Sequence, residues 1–108
     1  MTRKELGKIQ SVSFGYGGYQ EAQFGVSFTL GGNGWGVGDF WGTWAEWTKY
    51  CKWTQKEQKD TFGETVVKIR DLLTQAKKQE IHQLKGVPVE VTFENNTLVS
   101  WRILKEVI

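Results

Sequence analysis

Histidine, cysteine, proline and methionine occur once each in 108 residues. A single cysteine, Cys51, excludes an intrachain disulfide, and even with His82 it falls short of the four Cys or His ligands of a structural zinc site. Any Ser-His-Asp or Cys-His arrangement would rest on His82 alone, in a Lys- and Gln-rich stretch where a solvated side chain is expected. Neither sign of charge dominates: 14 Lys and Arg against 12 Asp and Glu give +2, too little for bulk charge to point to nucleic acid. No apolar run approaches the roughly 20 residues of a membrane span. The first residues, Met1-Thr-Arg-Lys-Glu-Leu-Gly, lack the apolar stretch of a secretory signal, so a cytoplasmic protein without a membrane partner is expected.

The chain is rich instead in aromatic residues and glycine: six Trp, six Phe, three Tyr and 13 Gly. The rings supply enough apolar area for one core, and the length suits a single domain. From Ile9 to Phe40 charge is sparse and alternation strong. Val12, Phe14 and Tyr16 alternate with Ser11, Ser13 and Gly15, then Phe24, Val26, Phe28 and Leu30 with Gly25, Ser27 and Thr29, which predicts two half-buried strands. Gly17 to Glu21 and Gly31 to Gly34 are the turns around them, and a third strand is expected near Trp35 to Phe40. There Gly34, Gly36 and Gly38 share one face, opposite Trp35, Val37 and Asp39. Three glycines on one face imply either a close approach by backbone, ring or ligand, or a twisted strand beneath its own helix.

Trp41, Trp44, Trp47, Tyr50 and Trp53 recur every third residue, a spacing that cannot place all five on one helix face and suits a short helix or an irregular connection. The main helix begins at Thr54 or Thr61, each followed three residues later by Glu, and presents Phe62, Val66, Ile69, Leu72, Leu73 and Ala76 to the sheet. Val87 to Phe93 and Leu98 to Val107 form a hairpin around Asn95-Asn96. A two-residue turn pairs Phe93 with Leu98, Val91 with Ser100 and Val89 with Arg102, placing Trp101 on the opposite face from Val91, with the sheet covered on both sides. The expected fold is α+β: an antiparallel sheet of about five strands, three N-terminal plus the C-terminal hairpin, packed on one main helix.

No compact catalytic motif is present. Asp39, Glu46, Glu57, Asp60, Glu64 and Asp71 are dispersed, Glu21 and Asp39 would form a carboxylate pair only if the fold joined them, and Cys51 suits a small buried hydrophobe. Phe14-Gly-Tyr-Gly-Gly-Tyr-Gln20 lacks a GxxxxGK[ST] loop, and no cofactor is implied. Two binding surfaces are candidates. Tyr16, Gly17, Gly18, Tyr19, Gln20, Trp35, Asp39 and Trp41 would line a site for a small anionic or nucleotide-like ligand, amides holding the anion and rings stacking on a base. Lys49, Lys52, Trp53, Lys56 and Lys59 would form a groove for single-stranded nucleic acid if one helix ran through them, and an ordinary wet face otherwise.

Phe14 to Gln20, Leu30-Gly-Gly-Asn-Gly-Trp-Gly-Val-Gly-Asp-Phe-Trp-Gly-Thr-Trp44, Lys85-Gly-Val-Pro-Val-Glu-Val-Thr-Phe93 and Ser100-Trp-Arg-Ile-Leu-Lys-Glu-Val-Ile108 together resemble a family of small uncharacterised proteins of tailed phages and prophages. The resemblance covers nearly the whole chain and implies a phage setting, with no activity or catalytic residues attached. By analogy with phage accessory proteins of this size, the expectation is a non-enzymatic binder: a counter-defence factor sequestering a nucleotide-like signal, a single-strand-binding accessory, or an inhibitor docking its Trp cluster on a host enzyme or on a second copy of itself.

Overall fold

A computed structural model describes residues 1–108. Five antiparallel strands, β1 (Thr2–Gly17), β2 (Gln23–Gly32), β3 (Trp35–Trp44), β4 (Pro88–Glu94) and β5 (Thr97–Ile103), form one sheet in the order β3-β2-β1-β4-β5, and one helix, α1 (Gln55–Ala76), lies across it. The fold is the α+β arrangement expected. No helix is long and apolar enough to cross a membrane.

One face of the sheet carries the core. Ile9, Val26, Phe28, Leu30, Val89, Val91, Phe93 and Ile103 point inward from the strands and meet Leu72 and Ala76 of α1, with Leu84 and Val87 sealing the link from helix to β4. The outer face carries mainly Ser, Thr, Gly and charged residues, with Leu6, Phe40 and Val99 among them and no second layer over it. The sheet is therefore covered once, not twice as the hairpin pattern suggested. The cause is a bulge in β5: Thr92 pairs with Ser100 but Phe93 with Leu98, so Val99 is the extra residue and Val91 faces Trp101 instead of Ser100. That single insertion turns Trp101 and Ile103 to the inner face and leaves Val99 outside. A second bulge, at Gln10 between Ile9 and Ser11, interrupts β1 where its neighbour changes.

Both bulges add twist, and a row of glycines across the outer face, Gly15 opposite Gly25 and Gly25 opposite Gly42, removes the side chains that would resist bending. The result is a curled sheet whose outermost strands, β3 and β5, come together across the inner face, where Trp41 and Trp101 stack with ring centroids 5.4 Å apart. Gly36 and Gly38 lie on the outer face, where an added Cβ would find no atom closer than Leu30 O at 3.8 Å and Phe28 O at 3.7 Å. Neither a close approach nor the helix covers that glycine face; the close approaches on this sheet are at Gly7 and Gly32, where the Trp35 indole would lie 2.7 Å from a Cβ on either residue.

β1 begins at Thr2, well before the alternation becomes legible at Val12, because its first half carries Arg3, Lys4, Glu5 and Lys8 while pairing with β4. β3 continues to Trp44, so Trp41 and Trp44 are strand residues, and Trp47, Tyr50 and Trp53 fall in the irregular loop before α1. The helix starts at the earlier of its two candidate caps: Thr54 Oγ1 accepts from Glu57 N at 3.0 Å. Its inward positions are Gln58, Thr65, Leu72 and Ala76, whereas Val66 is exposed. Gln58 earns its burial by donating to the carbonyls of Trp44 and Ala45, which ties the helix to the end of β3.

Gly25→Ala should lower stability by about 1–3 kcal/mol in urea unfolding, because its Cβ would run into the Trp41 carbonyl and approach Gly42 Cα to 2.7 Å, backbone that cannot step aside. Gly36→Ala, facing open space, should stay within about 0.5 kcal/mol of wild type.

Candidate functional site

Strand alternation puts Asp39 on the inner face of β3, opposite Phe28, between Val37 and Trp41. A half-buried carboxylate on an apolar face requires donors. Asp39 finds three: Oδ1 accepts from Phe40 N at 2.9 Å, and Oδ2 accepts from Trp41 Nε1 at 3.0 Å and from Trp101 Nε1 at 2.7 Å. The last bond joins opposite edges of the sheet. Both indoles also pack on Phe28, at 4.7 Å for Trp41 and 5.0 Å for Trp101, and stack on each other at an interplanar angle of 16°.

α1 delivers a cation to this ring assembly. Lys68 Nζ stands 4.3 Å from the centroid of Trp41, within cation–π range, and takes part in no salt bridge. Two hollows open beside the Trp pair and share Trp41, Trp101 and Lys68. One, of about 340 Å³, runs along α1 past Asp71, Leu72 and Gln75 to Arg102, and the other, of about 430 Å³, lies toward Asp39, Phe40, Val99 and Ser100. Asp71 is bonded to Arg70, and the Arg102 guanidinium is held by Glu90 at 3.1 Å and by Glu106 at 2.8 Å. Lys68 is therefore the free cation of the cleft.

Of the ligand-site residues read from the sequence, Asp39 and Trp41 meet here. Trp35 lies toward the other end of β3, edge-on to Phe93 at 5.5 Å. Gly17, Gly18 and Gln20 belong to the end of β1 and its turn, with positive φ at Gly18 and Gln20 as a tight turn requires. Tyr16 packs on Phe24, and Tyr19 on Trp44. Those eight residues form three separate places. The basic set is also divided, because α1 starts at Gln55: Lys49 and Lys52 precede the helix, and Lys56 is paired with Asp60 at 2.8 Å while Lys59 stays exposed. Trp53 stacks on Trp44 at 6.2 Å with its Nε1 buried, so its ring is not a free platform. Glu21, in the turn after β1, is not brought to Asp39, whose oxygens are occupied by the indoles.

Trp101 and Lys68 are the residues that sequence reading missed. The bulge hid the first. The available signal was Asp39 itself: a carboxylate sharing a face with two Trp demands N–H donors, and indoles are the natural ones on an apolar surface.

His82 is exposed and 4.0 Å from Glu80, Cys51 Sγ is hydrogen-bonded only to Thr48, and no group of three or more His, Cys, Asp or Glu side chains is gathered as a metal site would need. Comparison with protein-family models, with curated proteins and with solved structures gives no match for this chain.

Asp39→Asn leaves one oxygen for three donors and sets an NH₂ against one of them, so a loss of about 1–3 kcal/mol is expected, with loss of the exciton signal of the stacked indoles in circular dichroism. The hydrogen bond from Arg102 holds the Glu106 carboxyl down from 4.5 to about 2. Its stabilisation is complete above pH about 4.5 and disappears as pH falls toward 2, so Glu106→Gln should flatten that part of the acid-unfolding curve.

Proposed function

We propose that this chain is a non-enzymatic binding protein that takes a small planar anion, nucleotide-like in character, at the Trp41–Trp101–Lys68 cleft. The observation that carries the reading is the unpaired ammonium of Lys68 held over the face of Trp41 beside a second, parallel indole. A ring system replacing the ammonium on that face would stack, while Lys68 turned outward would meet the phosphate. The hollow of about 340 Å³ lies at the small end of the range for ligand pockets, which suits a mononucleotide better than a larger cofactor. Asp71 and Gln75 on the rim supply the acceptors and the amide through which one base would be preferred to another. The resemblance to tailed-phage proteins adds a role, counter-defence by sequestering a nucleotide signal of the host cytoplasm.

Titration by calorimetry and tryptophan fluorescence against linear mononucleotides and cyclic mono- and dinucleotides tests this. Saturable binding with quenching is expected, Lys68→Ala weakening it about tenfold, which corresponds to about 1.4 kcal/mol, and Lys68→Arg preserving most of it. Silence across the whole series, or binding indifferent to Lys68→Ala, would defeat the proposal.

A further inference from the structure

β1 has a neighbour on both sides only up to Ile9. Its pairing with β4 ends at Lys8 opposite Pro88, Ile9 closes the ladder by bonding Val87 and Gly86, and from Ser11 to Gly17 it pairs with β2 alone. We propose that this open half-strand pairs antiparallel with the same segment of a second copy, giving a two-fold dimer with one continuous sheet.

The segment is built for its own kind. An isologous pair sets one segment against its own copy, residue i on j and j on i, so any net charge in it would repel, and Ser11 to Gly17 carries none. The other open edges differ: β5 bears Arg102, tied to Glu90 and Glu106, and β3 bears Asp39, tied to the indoles. The open half of β1 also lacks the lysine or proline that commonly blocks unwanted strand addition. With the two-fold axis at Phe14, Val12 of one copy faces Tyr16 of the other, rings on the inner side and Ser and Gly on the outer.

An apolar surface flanks the same edge. Phe14, at 51% exposure, and Tyr16, at 69%, stand edge-on to Phe24, which meets Phe62 of α1 at 6.2 Å, and Val66 on that flank of the helix is 61% exposed. At about 100° per residue, Phe62, Val66 and Leu73 lie on one side of the inward line through Leu72, with Lys68, Asp71 and Gln75 on the other. Phe62 and Leu73 are half-buried, and Val66 is left uncovered on the flank that Phe62 joins to Phe24 and the β1 rings. The two rings expose roughly 240 Å², and a strand edge about 24 Å long and about 10 Å thick adds a similar area. Two copies would bury about 1,000 Å², the lower bound for a specific interface, so a dimer of micromolar strength is expected.

Sedimentation equilibrium from about 1 to about 200 µM, the range set by that area, reads it directly. The mass should rise from 12.4 kDa toward twice that value. Tyr16→Lys should raise the dissociation constant at least tenfold while leaving the circular dichroism spectrum intact. In a Cys51→Ser background, Ser13→Cys should be bridged between chains by a short bis-maleimide, and Ser100→Cys on β5 should not. A monomer across the whole range, or a dimer bridged through Ser100→Cys and not through Ser13→Cys, overturns the proposal.

Discussion

The carboxylate of Asp39 closes this fold. β3 and β5 are the two ends of a five-stranded sheet and share no backbone ladder, yet the Trp101 indole reaches across to Asp39 Oδ2 at 2.7 Å. Hydrogen bonds to an ionised acceptor contribute about 1.5–3 kcal/mol each, and this carboxylate collects three, two of them from rings that stack on each other and on Phe28. Without that bridge the sheet would have no cause to bring two Trp residues from sequence positions so far apart into parallel contact. Bulges and glycines permit the curl, and Asp39 gives it an end point.

Closure sets what α1 can do. The curled inner face is narrow, so the line of the helix that meets it is made of small or modest side chains, Thr65, Leu72 and Ala76, with Gln58 at the start satisfied by two carbonyls of the β3 end. The two flanks face different surroundings. On the side of the closed edges stand Lys68, Asp71 and Gln75, a polar rim for the Trp pair. On the other stand Phe62 and Val66, beside the half of β1 that β4 never reaches. β4 stops because its chain arrives from the helix through the 3-10 turn Ile81–Leu84 and Gly86, and beyond the bond from Gly86 to Ile9 no extended residues precede it to continue the ladder.

Much of this is legible in the sequence. Alternation around Phe28 and around Val89 to Phe93 located strands, Asn95-Asn96 located a turn whose residues both have positive φ, and Thr54 located the helix start. What stayed hidden shares one physical cause. A bulge leaves almost no mark in composition, but it inverts the facing of everything beyond it, so Val99 moved Trp101 from the presumed outer face to the centre of the cleft. The aromatic repeat from Trp41 to Trp53 misled for a related reason. A spacing of three belongs to neither strand nor helix, and the chain resolves it by placing two of those residues in β3 and three in a loop. The helical stripe is only partly what its periodicity says: Leu72 and Ala76 are buried, but Val66 is exposed and polar Gln58 and Thr65 face inward, because periodicity does not say which residues meet their own chain.

Hydrogen bonding within the Trp pair also limits what the proposed site would recognise. Both indole N–H groups are spent on Asp39, so neither is available to a ligand. The faces of the rings and the ammonium of Lys68 remain, and these attract through polarisability and charge with little directional preference. Such a site would favour planar anions as a class and leave discrimination among them to Gln75 and Asp71 at its rim. Tight selection of one base requires donors and acceptors fixed on a rigid strand, and here they sit on the exposed face of a helix. On the proposed reading sequestration needs only occupancy of the ligand, which two ring faces and one ammonium can supply.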